Sequence, residues 1–270
     1  MPTTSAATKA TNILKLSTEC LRVTHSDKKA YKRLKDLSIR VEMLLDFVYG
    51  YTFLKDDNID SDDEIINWTF VDVTDDLNAA IWNIASGFYK CSAALMRNAL
   101  DLAMASVYFQ LLQNRDPLVY CEEFSRWETG RADTPGWKLT EPVISGTDAV
   151  RRFNARYRCD IAKEIHGHFK QLCNRTHNRA FAPSGEAINN KNLGLDAPSF
   201  DEGSFHRMSL LLEKTVAHIA TIWLVAFPGI LACDPLHDLS DMSKYEKLLS
   251  HRRGMQALQA APIAAGRRRT

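Results

Sequence analysis

From Cys91 to Leu112 the chain reads CSAALMRNALDLAMASVYFQLL, apolar on nearly every side and interrupted by two charges, Arg97 and Asp101. The two stand four residues apart, so a 3.6-residue repeat puts a cation and a carboxylate on one helical face. A helix that is apolar all round is buried. This one is expected at the centre of the molecule, with Arg97 and Asp101 as an inner pair, because a buried charge is costly unless it is paired.

Helical periodicity continues through most of the chain. Residues 27–54 carry Tyr31, Leu34, Ile39, Val41, Leu44, Leu45, Val48 and Phe53 on a broad stripe behind the solvated start KKAYKRLK, and Ser26 is expected to cap them. A shorter helix is expected over 9–24. Thr74 and Asp75 are good capping residues and predict a helix through LNAAIWNIASGFYK that runs on into the central segment, kinked at Ser86-Gly87.

A helix is expected from Leu118 to Glu128. The stretch RADTPGWKLTEPVISG, with two prolines, predicts a loop. Thr147 then caps one long basic amphipathic run to Arg179, after which residues 181–203 show no periodicity. The last strong helix is expected from Ser204 to Phe227, stopped by Pro228-Gly229. A short helix over 242–250 and a frayed basic tail over 251–270 complete the reading. The expectation is an all-α helical bundle in one domain, 1–250, with a core over 75–231 and an additional N-terminal helical layer over 9–54.

Composition narrows the function classes. With 34 basic and 33 acidic side chains the net charge is +1, so any polyanion site must be local. The six cysteines are scattered without a CxxC, which fits reduced thiols. The N-terminal residues lack the pattern of a secretory signal, and the apolar stretch Val216–Ala232 contains His218 and Pro228, so a cytoplasmic protein with no membrane partner is expected. The acidic stretch Asp56–Asn67 alternates oxygens like a calcium loop but has Ser61 where the turn requires Gly and Asn67 where a Glu should close the cage, so it reads as a solvated loop. The five tryptophans, Trp68, Trp82, Trp127, Trp137 and Trp223, read as core or loop anchors. Motifs for phosphate loops, dinucleotide loops, zincins and serine hydrolases are absent from the sequence.

The densest candidate chemistry is Cys159, His166, His168, Cys173, Asn174, Arg175, His177, Asn178 and Arg179. Cations at a helix C-terminus offset its dipole, which is the plain structural reading. Zinc would use Cys173 and His177, but further ligands have no obvious source, and no metal or cofactor is expected. The chemical reading takes His177 as a general acid or base. Arg175 and Arg179 would stabilise charge on a phosphate, Asn174 and Arg156 would contact RNA, and Arg97 and Asp101 would support the site from within. A histidine and arginines suffice to cleave RNA through its 2′-OH without a metal. The Arg252-Arg253 and Arg267-Arg268-Arg269 clusters are further places where phosphates could be touched, though such an end is more often a solvated tail.

The stretch SGFYKCSAALMRNALDLAMASVYFQLL, followed by YCEEFSRWETGR and by KQLCNRTHNRA, resembles a group of bacterial helical proteins related to the HEPN superfamily, several of them associated with abortive infection and phage defence. The resemblance spans about residues 75–182, with Arg97 and Asp101 at the central-helix position, Trp127 in the following segment and Asn174–His177 at the later polar motif. It implies a helical bundle, frequently dimeric, with metal-independent endoribonuclease activity. The alternative reading is a non-catalytic helical interaction module that binds a protein partner or nucleic acid within a defence or regulatory assembly. HEPN nucleases carry Arg-x4–6-His, and here no arginine has that spacing to a histidine: Arg158 lies eight residues before His166 and Arg175 two before His177.

Overall fold

The computed structural model describes residues 6–52, 64–176, 200–227, 246–249 and 251–260, and all regular structure among them is helical. In chain order the helices are α1 (Ala6–Ser26), α2 (Lys28–Thr52), α3 (Glu64–Ala85), α4 (Tyr89–Arg115), α5 (Pro117–Glu128), α6 (Trp137–Ser145), α7 (Asp148–Tyr157), α8 (Ile161–Thr176), α9 (Glu202–Ala226) and α10 (Arg252–Ala260).

The expected kink at Ser86-Gly87 is a full break. Gly87 takes φ +79°, the left-handed region open to glycine, and the chain turns back so that α3 and α4 form the most extensive helix pair. Asn98 donates to Asp76 across this hairpin at 2.5 Å. Thr74 does not start a helix: it lies inside α3, its hydroxyl donating to the Phe70 carbonyl at 2.9 Å. Asp27, rather than Ser26, caps α2, accepting from the Lys29 and Ala30 amides at 2.8 and 3.1 Å.

α4 is the hub, packing against α3, α5, α6, α8 and α9, as its apolar surface requires. Its second half, Ala103 to Gln110, is buried at every position. Its first half is not: Lys90, Cys91, Ala94 and Asn98 face outward. Trp223 of α9, fully buried, meets Phe70 edge-on with ring centroids 5.1 Å apart. A smaller aromatic cluster lies under α5, where Phe109 packs on Tyr120, Phe124 and Trp127. α1 and α2 form the N-terminal layer, with α2 against α3 and α9.

α2 is pinned to α9 by ions. Arg40, 9% exposed, reaches Asp36 at 3.0 Å and Glu213 at 2.9 Å and donates to the Lys247 carbonyl. Arg33 meets Glu213 at 2.5 Å, and Lys247 meets Asp36 at 2.7 Å. Trp82, expected as an anchor, is 63% exposed.

Four more expectations are corrected. The run from Thr147 breaks at Arg158, a left-handed non-glycine residue at φ 46°, and Asn154 bridges the break by accepting from the Ile161 amide at 3.0 Å. The loop expected after Glu128 contains α6, whose inward residues Trp137, Thr140 and Ile144 recur at helical spacing despite Pro142. The tail expected from 251 begins with α10, which buries Gly254, Ala257 and Leu258 against α9 and α7. A Cβ on Gly254 would stand 2.5 Å from the Leu249 carbonyl oxygen, so only glycine fits there. The start of the last strong helix also moves, since Asp201 caps α9 by accepting from the Ser204 amide at 2.6 Å. Most of the acidic stretch, much of the 242–250 helix and the residues from 261 on lie outside the described residues.

By length and composition α9 could cross a membrane, yet 83% of its most apolar window is buried inside the protein, the condition of a core helix.

Candidate functional site

Arg97 and Asp101 leave α4 side by side, as their spacing requires, but they sit at the edge of the core. Their side chains are 37% and 23% exposed, and Arg97 Nε stands 3.8 Å from Asp101 Oδ2, a loose pair. The pair expected inside the core is therefore half-open, because α6 and α8 only partly cover this part of α4.

α6 and α8 complete the cluster. Trp137, the first residue of α6, donates its indole N–H to Asp101 Oδ1 at 3.1 Å. The same ring lies flat on His166 of α8, with centroids 4.7 Å apart and planes 6° from parallel. His166 Nδ1 approaches Glu141 Oε2 at 3.3 Å, which orients the imidazole and turns Nε2 away from the carboxylate. Phe169, one turn along α8, packs on Trp137 with centroids 5.4 Å apart and carries the Arg97 guanidinium over its face at 5.7 Å. Cys173, one further turn on, lies within the electrostatic reach of both Arg97 and Asp101.

Burial pushes the Asp101 carboxyl up to about 6, against the opposing pull of the Trp137 N–H and then of Arg97. Burial likewise raises the Cys173 thiol, which leaves it protonated and a poor nucleophile at neutral pH. A carboxyl raised to about 6, an imidazole beside a carboxylate and a guanidinium share one partly open, aromatic-walled cluster. Such a set can donate a proton, accept one and hold an anion.

The remaining candidates divide. His177 and Arg179 lie outside the described residues. Arg175, in the last turn of α8, is half-buried, and its position, one turn beyond Gln171, places it on the helix face opposite Cys173. Asn174 is exposed on α8. Arg156 is exposed on α7 with its guanidinium over the Tyr157 ring at 5.3 Å.

The sequence reading missed Trp137, Glu141 and His166 as site residues. His166 stood in the dense polar stretch, but its stacking partner lay in a segment expected to be a loop. The spacing of Trp137, Thr140 and Ile144 was the signal that could have found it. Among the described residues no group of three His, Cys, Asp or Glu side chains is placed to hold a metal ion. No family model, no curated protein and no solved structure matches this chain.

Proposed function

We propose that this chain is a HEPN-like defence or toxin-type protein that cleaves RNA without a metal, with the Arg97–Asp101–His166 cluster as its reaction centre. The observation that carries the reading is Asp101: a carboxyl held near pH 6 by burial, yet reachable, beside a guanidinium and an imidazole. Half-exposed Phe169 and His166 give flipped or single-stranded bases something to stack on.

In this scheme a phosphodiester lies against Arg97, whose planar fork donates to two of its oxygens. His166 Nε2 takes the proton of the ribose 2′-OH, and the resulting alkoxide attacks the adjacent phosphorus. Asp101, protonated in part of the population near pH 6, gives its proton to the departing 5′ oxygen. The products are a 2′,3′-cyclic phosphate and a 5′-hydroxyl end. Trp137 keeps Asp101 aimed through its indole N–H. A second copy of the chain and His177 are the additions that the resemblance supplies.

The test is cleavage of single-stranded RNA by the full chain in the presence of a chelator. Arg97→Ala, Asp101→Asn and His166→Ala are each expected to lower the rate by about a hundredfold or more, with cyclic phosphate ends in the wild-type products. Absence of cleavage, or unchanged rates in all three variants, would refute the proposal. Trp82 and Leu118, 63% and 84% exposed, favour the second reading, a helical module that docks a protein or nucleic acid partner. Partner binding that is lost in Trp82→Ala, in a chain that does not cleave RNA, would establish it.

A further inference from the structure

A second polar site lies on the other side of α8. α8, α9 and α10 line a cavity of about 500 Å³ that opens broadly to solvent, a volume within the usual range of small-ligand pockets and larger than a bare inorganic ion requires. Three imidazoles run along its wall. His218 is the middle one, its ring centroid 5.2 Å from that of His168 and 4.9 Å from that of His251.

The outer two are fixed by hydrogen bonds. The Thr215 hydroxyl donates to the Leu211 carbonyl at 2.8 Å, so its contact with His168 Nε2 at 2.8 Å has the imidazole N–H as donor. His251 Nδ1 accepts from the Gly254 amide at 3.0 Å and so caps α10. His218 has no such arrangement. It is 4% exposed, and neither of its ring nitrogens has a hydrogen-bond partner among the described residues. A buried imidazole with an unmet donor and an unmet acceptor is costly to keep in a fold, and this one lines a cavity large enough to hold what it lacks.

The rim says which ligand. Arg253 is committed to Glu164, which it meets at 2.5–3.0 Å through two of its nitrogens. Lys214 and Arg252 also line the cavity, are exposed, and have no ion-pair partner among the described residues. The N-terminal end of α10 adds its partial positive charge at Arg252. Burial holds His168, His218 and His251 below the usual imidazole range, so at neutral pH each ring is neutral, and the N–H of His218, which no described residue takes, is free for a ligand. Unpaired cations at the mouth, a neutral N–H donor inside and a helix N-terminus together suit an oxyanion. Gln171 also lines the wall, its side chain beside His168.

We propose that the cavity between α8, α9 and α10 binds a small phosphomonoester, with Lys214 and Arg252 taking the phosphate and His218 completing its bonds on the ligand. The site is separate from the Arg97 cluster. On α8, Glu164, His168 and Gln171 fall about 180° around the axis from His166, Phe169 and Cys173, at about 100° per residue.

Calorimetric titration of the full chain with ribose 5-phosphate, adenosine 5′-monophosphate and inorganic phosphate tests it, with sodium chloride matched for ionic strength. Saturable binding of at least one phosphate probe is expected, and the ranking of the three distinguishes an ester from the free ion. Arg252→Gln and Lys214→Gln, surface changes whose folding circular dichroism checks, should each weaken binding about tenfold, the scale of one charge-assisted hydrogen bond. Because Arg97 is the other proposed phosphate contact, the titrations are repeated in Arg97→Ala, where the binding that Lys214 and Arg252 support should persist whether or not RNA cleavage is found. No saturable binding at millimolar concentrations, or binding unchanged in both cation variants, would overturn the proposal.

Discussion

Replacing Asp101 with Asn should make the protein more stable at neutral pH while removing its chemistry. The carboxyl has an ordinary value of 3.8 and is raised to about 6 in the folded chain. Below about pH 3 it is protonated in both folded and unfolded chains and contributes no difference. Between pH 4 and 6 the unfolded chain releases the proton and the folded chain retains it, so stability falls as pH rises. Above pH 6 both are ionised and the whole penalty stands. Two units correspond to about 3 kcal/mol, and the side chain is 23% exposed, so solvent screening reduces the expectation to about 1–2 kcal/mol. Asn keeps the shape and still accepts from the Trp137 N–H, while the ion pair with Arg97 that it gives up is a loose one. Urea unfolding, followed by circular dichroism at pH 3 and pH 7.5, gives the measurement. The variant should gain about 1–2 kcal/mol over wild type at pH 7.5 and almost nothing at pH 3, other titrating groups cancelling in the difference. An equal difference at both pH values would refute the claim that a desolvated charge sits at position 101. A residue that weakens its own fold is understandable where it serves a reaction.

Three further outcomes follow from the same geometry. Arg40→Ala should cost about 3 kcal/mol in thermal or urea unfolding, because it leaves Asp36 and part of Glu213 without their buried partner; a loss under 1 kcal/mol would show that Arg33 and Lys247 suffice. Acid should destabilise the chain through the imidazoles: His168 falls to about 4 when folded, so from pH 6.5 down to about 4 the unfolded state binds a proton that the folded state refuses, at up to about 3 kcal/mol. His168→Gln should flatten that part of the stability profile, and a parallel profile would contradict it. Trp137→Phe keeps a ring against His166 but withdraws the N–H from Asp101, so carbon-detected NMR should find the Asp101 carboxyl titrating above its wild-type value; no upward shift would mean the bond at 3.1 Å does not favour the carboxylate.

The long helices were legible because burial writes its period into the sequence: α2, α4 and α9 carry stripes or continuous apolar faces that packing then uses. The breaks were not. Arg158 turns left-handed without the glycine that usually marks such a place, and what holds it is an Asn154 side chain reaching forward to Ile161, a contact with no fixed sequence signature. α6 was hidden by Pro142, although its buried face recurs at helical spacing. α10 looked like a tail because its stability comes from docking on α9 and α7 rather than from its own composition. Arg40 was unremarkable among the basic residues of α2 until Glu213, far along the chain, gave it a partner.

The candidate chemistry divides along the same line. Arg97 and Asp101 were readable because their relation is local, four residues on one helix. The dense polar stretch from Cys159 to Arg179 invited a single site, but density along a chain is not density on a face. α8 carries His166, Phe169 and Cys173 toward α4 and α6, and Glu164, His168, Gln171 and the position of Arg175 toward the opposite side. His168 then finds its company in His218 and His251, fifty and eighty-three residues on. One amphipathic helix polar on both flanks is thus a partition between two chemical environments. On one side a carboxyl keeps its proton up to about pH 6. On the other, imidazoles are kept from holding one. Burial causes both, and the opposite signs follow from the charge each group would have to carry.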